Sequence, residues 1–158
     1  MTPEERTALV AQYKNGTQLV TQALQDIKPA ELDFKPSPKE WSCREIVHHL
    51  ADAETISGYR LRRLLTELNP YIHGFDQDVY ATRLQYAKRA IEPSLEALRS
   101  AVETTLQIIE TMTEADWKRT GEHSDTGPYS AEQWLKGRST HISGHAGQIQ
   151  RTRAKYKK

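Results

Sequence analysis

Four stretches of this chain carry the chemistry that starts an α-helix, while alternating apolar and polar runs of strand-forming residues are scarce. Thr2-Pro3-Glu4-Glu5 supplies an N-cap, a proline at the first helical position and early acids. Leu9, Val10, Tyr13, Leu19, Val20 and Leu24 continue that helix to about Ile27, with Gly16 weakening its middle. Lys28-Pro29 and the segment to Pro36 read as a connector. Ser37-Pro38-Lys39-Glu40 combines a capping box with proline at N1, so the second long helix is predicted to start there. Its inward positions are Trp41, Ile46, His49, Leu50, Ala53, Ser57, Leu61, Leu64, Leu65 and Leu68, and Asn69-Pro70 ends it. His48 falls with Glu45, Asp52 and Thr55 on a more polar side, so the period aims His49 and not His48 at the core.

A third long helix is predicted from Pro93, through Leu95, Leu98, Val102, Leu106, Ile109 and Met112. Thr113-Glu114-Ala115-Asp116 caps an extra turn through Trp117. Ser130-Ala131-Glu132-Gln133 opens the last helix, whose inward positions are Trp134, Leu135, Arg138, His141, Ile142, His145 and Ile149. Between the second and third helices, Tyr71 to Asp76 reads as an irregular crossing, with a short helix from Asp76 to about Lys88. Gly121 to Pro128 reads as a loop. The expectation is an all-α, four-helix bundle with a long central crossover and short extra helices, one domain over residues 1–158.

Lysine plus arginine number 22 against 21 aspartates and glutamates, so charge selects no polyanion and nucleic acid is not an expected partner. The basic C-terminal run, Arg151, Arg153, Lys155, Lys157 and Lys158, reads as cations that suit a helix C-terminus. No apolar run approaches the roughly 18–20 residues that span a bilayer, and the N-terminus has no apolar signal core. The single cysteine, Cys43, has no internal disulfide partner and reads as a packing residue. A soluble, cytoplasmic protein is expected. Trp41, Trp117 and Trp134 read as anchors of the core or the bundle ends.

Six histidines occur, and three of them fall at inward positions of two helices. His141 and His145, four residues apart, share a helix face with Cβ atoms roughly 6 Å apart. That spacing suits two nitrogens meeting one divalent ion, and His49 on a facing helix would be the third ligand. Two half-buried histidines satisfied by hydrogen bonds are the simpler reading of the pair alone. Three buried imidazoles without a shared purpose are costly.

The segment Trp41-Ser42-x-Arg44-Glu45-Ile46-Val47-His48-His49-Leu50-Ala51-Asp52-Ala53-Glu54 resembles the second-helix signature of DinB-like proteins, and His141-x-x-x-His145-Ala146-Gly147-Gln148-Ile149 resembles their last-helix signature. The continuation Tyr59-Arg60-Leu61-Arg62-Arg63-Leu64-Leu65-Thr66-Glu67, then Asn69-Pro70-x-Ile72, Phe75-Asp76 and Glu122-His123, is similar to the YfiT-like branch. This resemblance implies up-down-down-up connectivity and one divalent ion, zinc or nickel, held by His49, His141 and His145. It also implies a homodimer and either transfer of a low-molecular-weight thiol, such as bacillithiol or mycothiol, or metal-dependent hydrolysis.

Three imidazoles leave an open position, which would activate either a thiol or a water. A metalloprotease helix places glutamate after its first histidine; here Ile142 stands there, which argues against peptidase chemistry. A thiol needs less help from a separate base. The expected partners are therefore a small thiol and an electrophilic substrate, with a hydrolase as the alternative, and a non-enzymatic stress-response or interaction module as the other. Asp52, Glu54 and Gln148 are candidates to orient the histidines, though solvated positions are the simpler expectation. Asp76 and His123, on segments able to cover the open end, are the candidate catalytic residues. Arg60, Arg62 and Arg63 are either a cationic lip for a carboxylated thiol or a solvated face paired with Glu67.

Overall fold

The computed structural model describes residues 1–157; Lys158 of the basic run lies outside the described residues. Helix α1 (Pro3–Ala23) starts in a full capping box, with Thr2 accepting from the Glu5 N–H and Glu5 accepting from the Thr2 N–H. One turn, α2 (Pro29–Leu32), leads to α3 (Cys43–Thr66). The crossover then holds a two-residue strand β1 (Tyr71–Ile72), α4 (Gln77–Arg83) and a 3₁₀ turn (Tyr86–Lys88). After it come α5 (Glu92–Ile109), the single turn α6 (Glu114–Trp117), strands β2 (Thr120–His123) and β3 (Gly127–Ser130), and α7 (Ala131–Tyr156).

Contacts along the long helices fix their directions. The N-terminal ammonium reaches Glu132 at 3.4 Å, and Arg153 donates to the Ala23 carbonyl at 2.6 Å, so α1 and α7 run parallel. Between those ends an added Cβ on Gly16 would lie 2.8 Å from Ile142 Cβ, so the residue that weakens α1 is what lets α7 approach it. Cys43 lies against the Ile149 carbonyl and the Trp134 indole donates to the Ser57 carbonyl at 2.8 Å, which makes α3 and α7 antiparallel. His48 meets Ser94 and Arg62 meets Thr105, so α3 and α5 are parallel. The order is up-down-down-up, and the two parallel neighbours α3 and α5 require the long crossover.

The core of this bundle is formed by Tyr13, Val20, Ile46, Leu50, Leu61, Leu64, Leu98, Val102, Trp134, Leu135, Ile142 and Ile149, each at most 1% exposed. Among the described residues, no helix is long and apolar enough to cross a membrane.

Besides Leu68, an expected inward position that is 93% exposed because α3 ends at Thr66, two features differ from the sequence expectation. Helix α3 begins at Cys43 and not after Ser37, because a second box five residues on wins: Ser42 accepts from the Glu45 N–H at 3.2 Å and Glu45 accepts from the Ser42 N–H at 2.8 Å. Glu40 of the first box pairs with Lys155 instead, at 2.6 Å. The second difference is a small sheet. The segment expected as a loop forms the β2–β3 hairpin, closed by Gly127 at φ 73°, and β1 joins it in parallel with Ile72 opposite His123. Strands of two to four residues, two of them interrupted by glycine or proline, have no readable period. The sheet clips the crossover to the chain that enters α7.

The basic C-terminus also does more than suit its own helix end. Arg153 pairs with Glu31 at 2.8 Å and, besides Ala23, donates to the Gln25 carbonyl, satisfying the open end of α1.

Candidate metal centre

His49 sits in the second turn of α3, and His141 and His145 sit on consecutive turns of α7 facing it. The structure brings the three rings together. Centroids lie 5.3 Å apart for His49 and His141, and 4.7 Å apart for the other two pairs. One donor nitrogen from each falls within 4.8 Å of the others. His49 Nε2 and His141 Nε2 are 3.3 Å apart. Two nitrogens about 2.0–2.1 Å from one tetrahedral ion stand roughly 3.3–3.4 Å apart, so this edge already has the length a shared ion needs.

Surrounding groups set which nitrogen faces inward. His141 Nδ1 donates to Glu54 Oε1 at 3.1 Å, and His145 Nδ1 donates to Gln148 Oε1 at 2.8 Å. Both Nε2 atoms are thereby left as lone pairs directed at the cluster. Converging lone pairs repel unless a cation lies among them, so the donor set fits a divalent ion. Among the described residues His49 Nδ1 is buried with no partner, and its ring packs against Trp41 at 4.8 Å and Phe75 at 6.4 Å.

Glu54 anchors this arrangement and is fully buried, contrary to the solvated position expected for it. Besides His141 it accepts from Tyr13 Oη at 3.2 Å and pairs with Arg138 at 3.4 Å. Its burial follows from the central place of α3, which packs against both α5 and α7 and so has two covered faces where an amphipathic pattern shows one. The same cause buries His48, expected on the polar side: its Nδ1 meets Ser94 Oγ at 2.7 Å and its Nε2 the Arg89 carbonyl at 3.2 Å. Asp52 is half-buried and accepts from Tyr86 Oη at 2.5 Å.

Neither member of the expected catalytic pair belongs to the cluster. Asp76 is exposed and caps α4, accepting from the Asp78 and Val79 N–H groups at 2.9 and 3.0 Å. His123 on β2 accepts at Nδ1 from the Asp125 N–H at 3.2 Å, with its ring 5.4 Å from Tyr129. Burial, then the nearby Arg60 cation, holds the His123 pKa below the usual histidine value. Arg62 donates to Gly58 and Thr105, and Arg63 forks onto Glu67 at 2.8 and 2.6 Å, so these two serve the scaffold. Cys43 is a packing residue whose thiol burial pushes up to about 11.

Trp41 and Phe75, the aromatic walls of His49, and Tyr13, which steadies Glu54, carry no functional signal in the sequence. Trp41 has the apolar character of a core anchor, and the early turn ahead of α3 turns it onto the site. Arg138 is readable as inward-facing, one turn before His141, but not as a partner for Glu54.

Burial, then the neighbouring histidines, pushes the His49 pKa down to about 3; burial, then His141, pushes His145 down to about 4. The unfolded chain protonates these groups near 6.5. Stability present above pH 6.5 is therefore lost progressively as pH falls toward 4. We predict that metal-free protein loses about 2–4 kcal/mol between pH 7 and pH 5, by urea unfolding at each pH. A His145→Gln variant should lose about half as much. A midpoint equal or higher at pH 5 contradicts the burial of these rings.

Fold and centre together define a class: an up-down-down-up helical bundle with three histidines gathered between α3 and α7. The DinB superfamily model matches residues 12–149. The chain belongs to the DinB superfamily. It is 30% identical over 108 residues to a Bacillus cereus protein named as an inferred metal-dependent hydrolase, covering 68% of this chain and 62% of that one. An Oceanobacillus iheyensis protein of the same name is 29% identical over 105 residues, covering 66% and 60%. The chain thus spans about three-fifths of the length of the curated relatives it matches. Among solved structures, YfiT from Bacillus subtilis, described as an inferred metal-dependent hydrolase with an unusual four-helix bundle topology, superposes with a TM-score of 0.90. That match, at 24% identity over 96% of this chain and 87% of YfiT, shows a shared fold.

Proposed function

We propose that this protein is a divalent-metal-dependent enzyme that joins a low-molecular-weight thiol to an electrophilic small molecule, with His49, His141 and His145 holding one zinc or nickel ion. The observation that carries the reading is the convergence of three nitrogen donors, with Glu54, the carboxylate bonded to them, already committed elsewhere. A divalent ion held there supplies Lewis acidity that makes a thiol or a water nucleophilic at neutral pH.

The chain's own groups favour the thiol. Attack by water calls for a base to take its proton, and Glu54, the carboxylate bonded to the cluster, is already committed to His141, Arg138 and Tyr13. Its task is to hold the His141 ring by the Nδ1 proton and keep it electron-rich. Trp41 and Phe75 shield His49 from solvent. His123 makes no hydrogen bond at Nε2 among the described residues and is assigned a hydrogen bond from that N–H to the departing anion, the thiol proton passing to solvent, while Asp76 holds α4 in place. Hydrolysis is the second reading, favoured by the names its relatives carry.

Protein loaded with zinc or nickel is mixed with 2-mercaptoethanol and a chromogenic aryl halide, and separately with a nitrophenyl ester without thiol. The expected result is thiol-dependent release of halide faster than free ion plus thiol produces. Ester turnover alone moves the assignment to hydrolysis. Turnover of neither, with the ion still bound, leaves a non-enzymatic binding module.

A further inference from the structure

Arg60 lies eleven residues beyond His49, three helical turns along the same face of α3. Of its neighbours, two are paired with carboxylates and two have their donors taken up by carbonyl groups. Arg63 pairs with Glu67, and Arg138 pairs with Glu54. Arg62 and Arg119 are engaged by carbonyl groups. Arg60 is not matched: among the described residues no carboxylate lies within ion-pair distance of it, and its Nε is buried without a partner. It donates to the His73 carbonyl and its guanidinium stands 5.8 Å above Phe75, the ring that walls His49. A cavity of about 190 Å³ adjoins it, lined also by Ile56, Ile72, His73, Phe75 and Tyr80. Burial lowers the Arg60 pKa, and the fields of Tyr129, Arg138 and Asp125 reach it from the hairpin and α7. A half-buried cation with unused donors beside an apolar cavity is incomplete without an anion.

We propose that the Arg60 guanidinium binds the carboxylate of the substrate, an organic acid whose reacting end lies at His49, His141 and His145. The assignment rests on the metal-enzyme reading for the reacting end alone. Charge favours a monoanion: Arg138 is offset by Glu54 and Asp125 already bears on Arg60, so the positive charge left there suits a carboxylate better than a phosphate dianion. The planar fork suits a carboxylate. The Arg60 guanidinium is 5.8 Å from the Phe75 ring and that ring is 6.4 Å from the His49 ring, so acid and reacting end stand no more than about 12 Å apart.

The test loads the protein with cobalt(II) and titrates it with 6-mercaptohexanoate, 6-mercaptohexanol and 6-mercaptohexyl phosphate, reading thiolate-to-cobalt absorption. The acid should bind at least about tenfold more tightly than the alcohol, the worth of one charge-assisted hydrogen bond. In Arg60→Met the acid should fall to the alcohol's level, with the affinities for alcohol and cobalt unchanged, and Arg60→Lys should recover part of the preference. Equal binding of acid and alcohol overturns the proposal, as does a preference that survives in Arg60→Met. Tighter binding of the phosphate overturns the choice of carboxylate. A metal-free arm keeps the two readings apart by measuring thermal stabilisation by hexanoate. Stabilisation of the parent but not of Arg60→Met, without any cobalt spectrum, supports the Arg60 site and removes the metal reading. Absence of both overturns the proposal.

Discussion

Alanine at His49, His141 or His145 weakens divalent-ion binding by more than about 100-fold in each variant, since losing even a partner that only orients a ligand costs about 10–100-fold. The same variants without metal should remain folded. His141 and His145 direct lone pairs at the cluster, and His49 leaves Nδ1 buried and unpartnered among the described residues, so removing one ring relieves a conflict as well as leaving space. We expect metal-free stability within about 1 kcal/mol of the parent, the usual size of a single substitution. The added stability conferred by ion, about 2.7 kcal/mol at a hundredfold excess over Kd, should vanish. Competition with a chromogenic chelator gives the affinities, and thermal unfolding with and without ion gives the stabilities. Full affinity in all three variants rejects the centre; lost affinity together with lost folding assigns the histidines to the core.

Much of the bundle is legible in the sequence because its start signals are local. Thr2, Thr113 and Ser130 cap the helices expected of them, each with the reciprocal acid or amide three residues on. Where two such boxes compete, at Ser37 and Ser42, propensity alone does not choose; the Ser42–Glu45 box closes, while Glu40 pairs with Lys155 near the end of α7. The three histidines are legible because each recurs at helical spacing on a face that also carries core residues. Glu54 and His48 are not legible in the same way. Periodicity describes one buried face per helix, whereas α3 lies between α5 and α7 and buries residues on both sides. The sheet is the least legible element, since it rests on pairing between Tyr71–Ile72 and a hairpin fifty residues away.

Glu54→Ala is expected to damage both stability and metal binding. The carboxylate is fully buried and takes hydrogen bonds from Tyr13 and His141 and an ion pair from Arg138. Removing it strands a buried phenol and a guanidinium that is only 20% exposed, a change that costs about 3–5 kcal/mol in comparable buried pairs. It also frees the His141 ring to turn, so ion affinity should fall about 10–100-fold. Two milder variants separate these effects. Tyr13→Phe removes one bond and should cost about 1 kcal/mol with little change in ion affinity. Glu54→Gln keeps the volume and an acceptor for His141 but loses the charge, and its deficit in affinity should exceed its deficit in stability. Urea unfolding of metal-free protein and chelator competition measure the two quantities independently. A Glu54→Ala protein as stable and as avid as the parent would leave His141 with no internal support and remove the carboxylate from the centre.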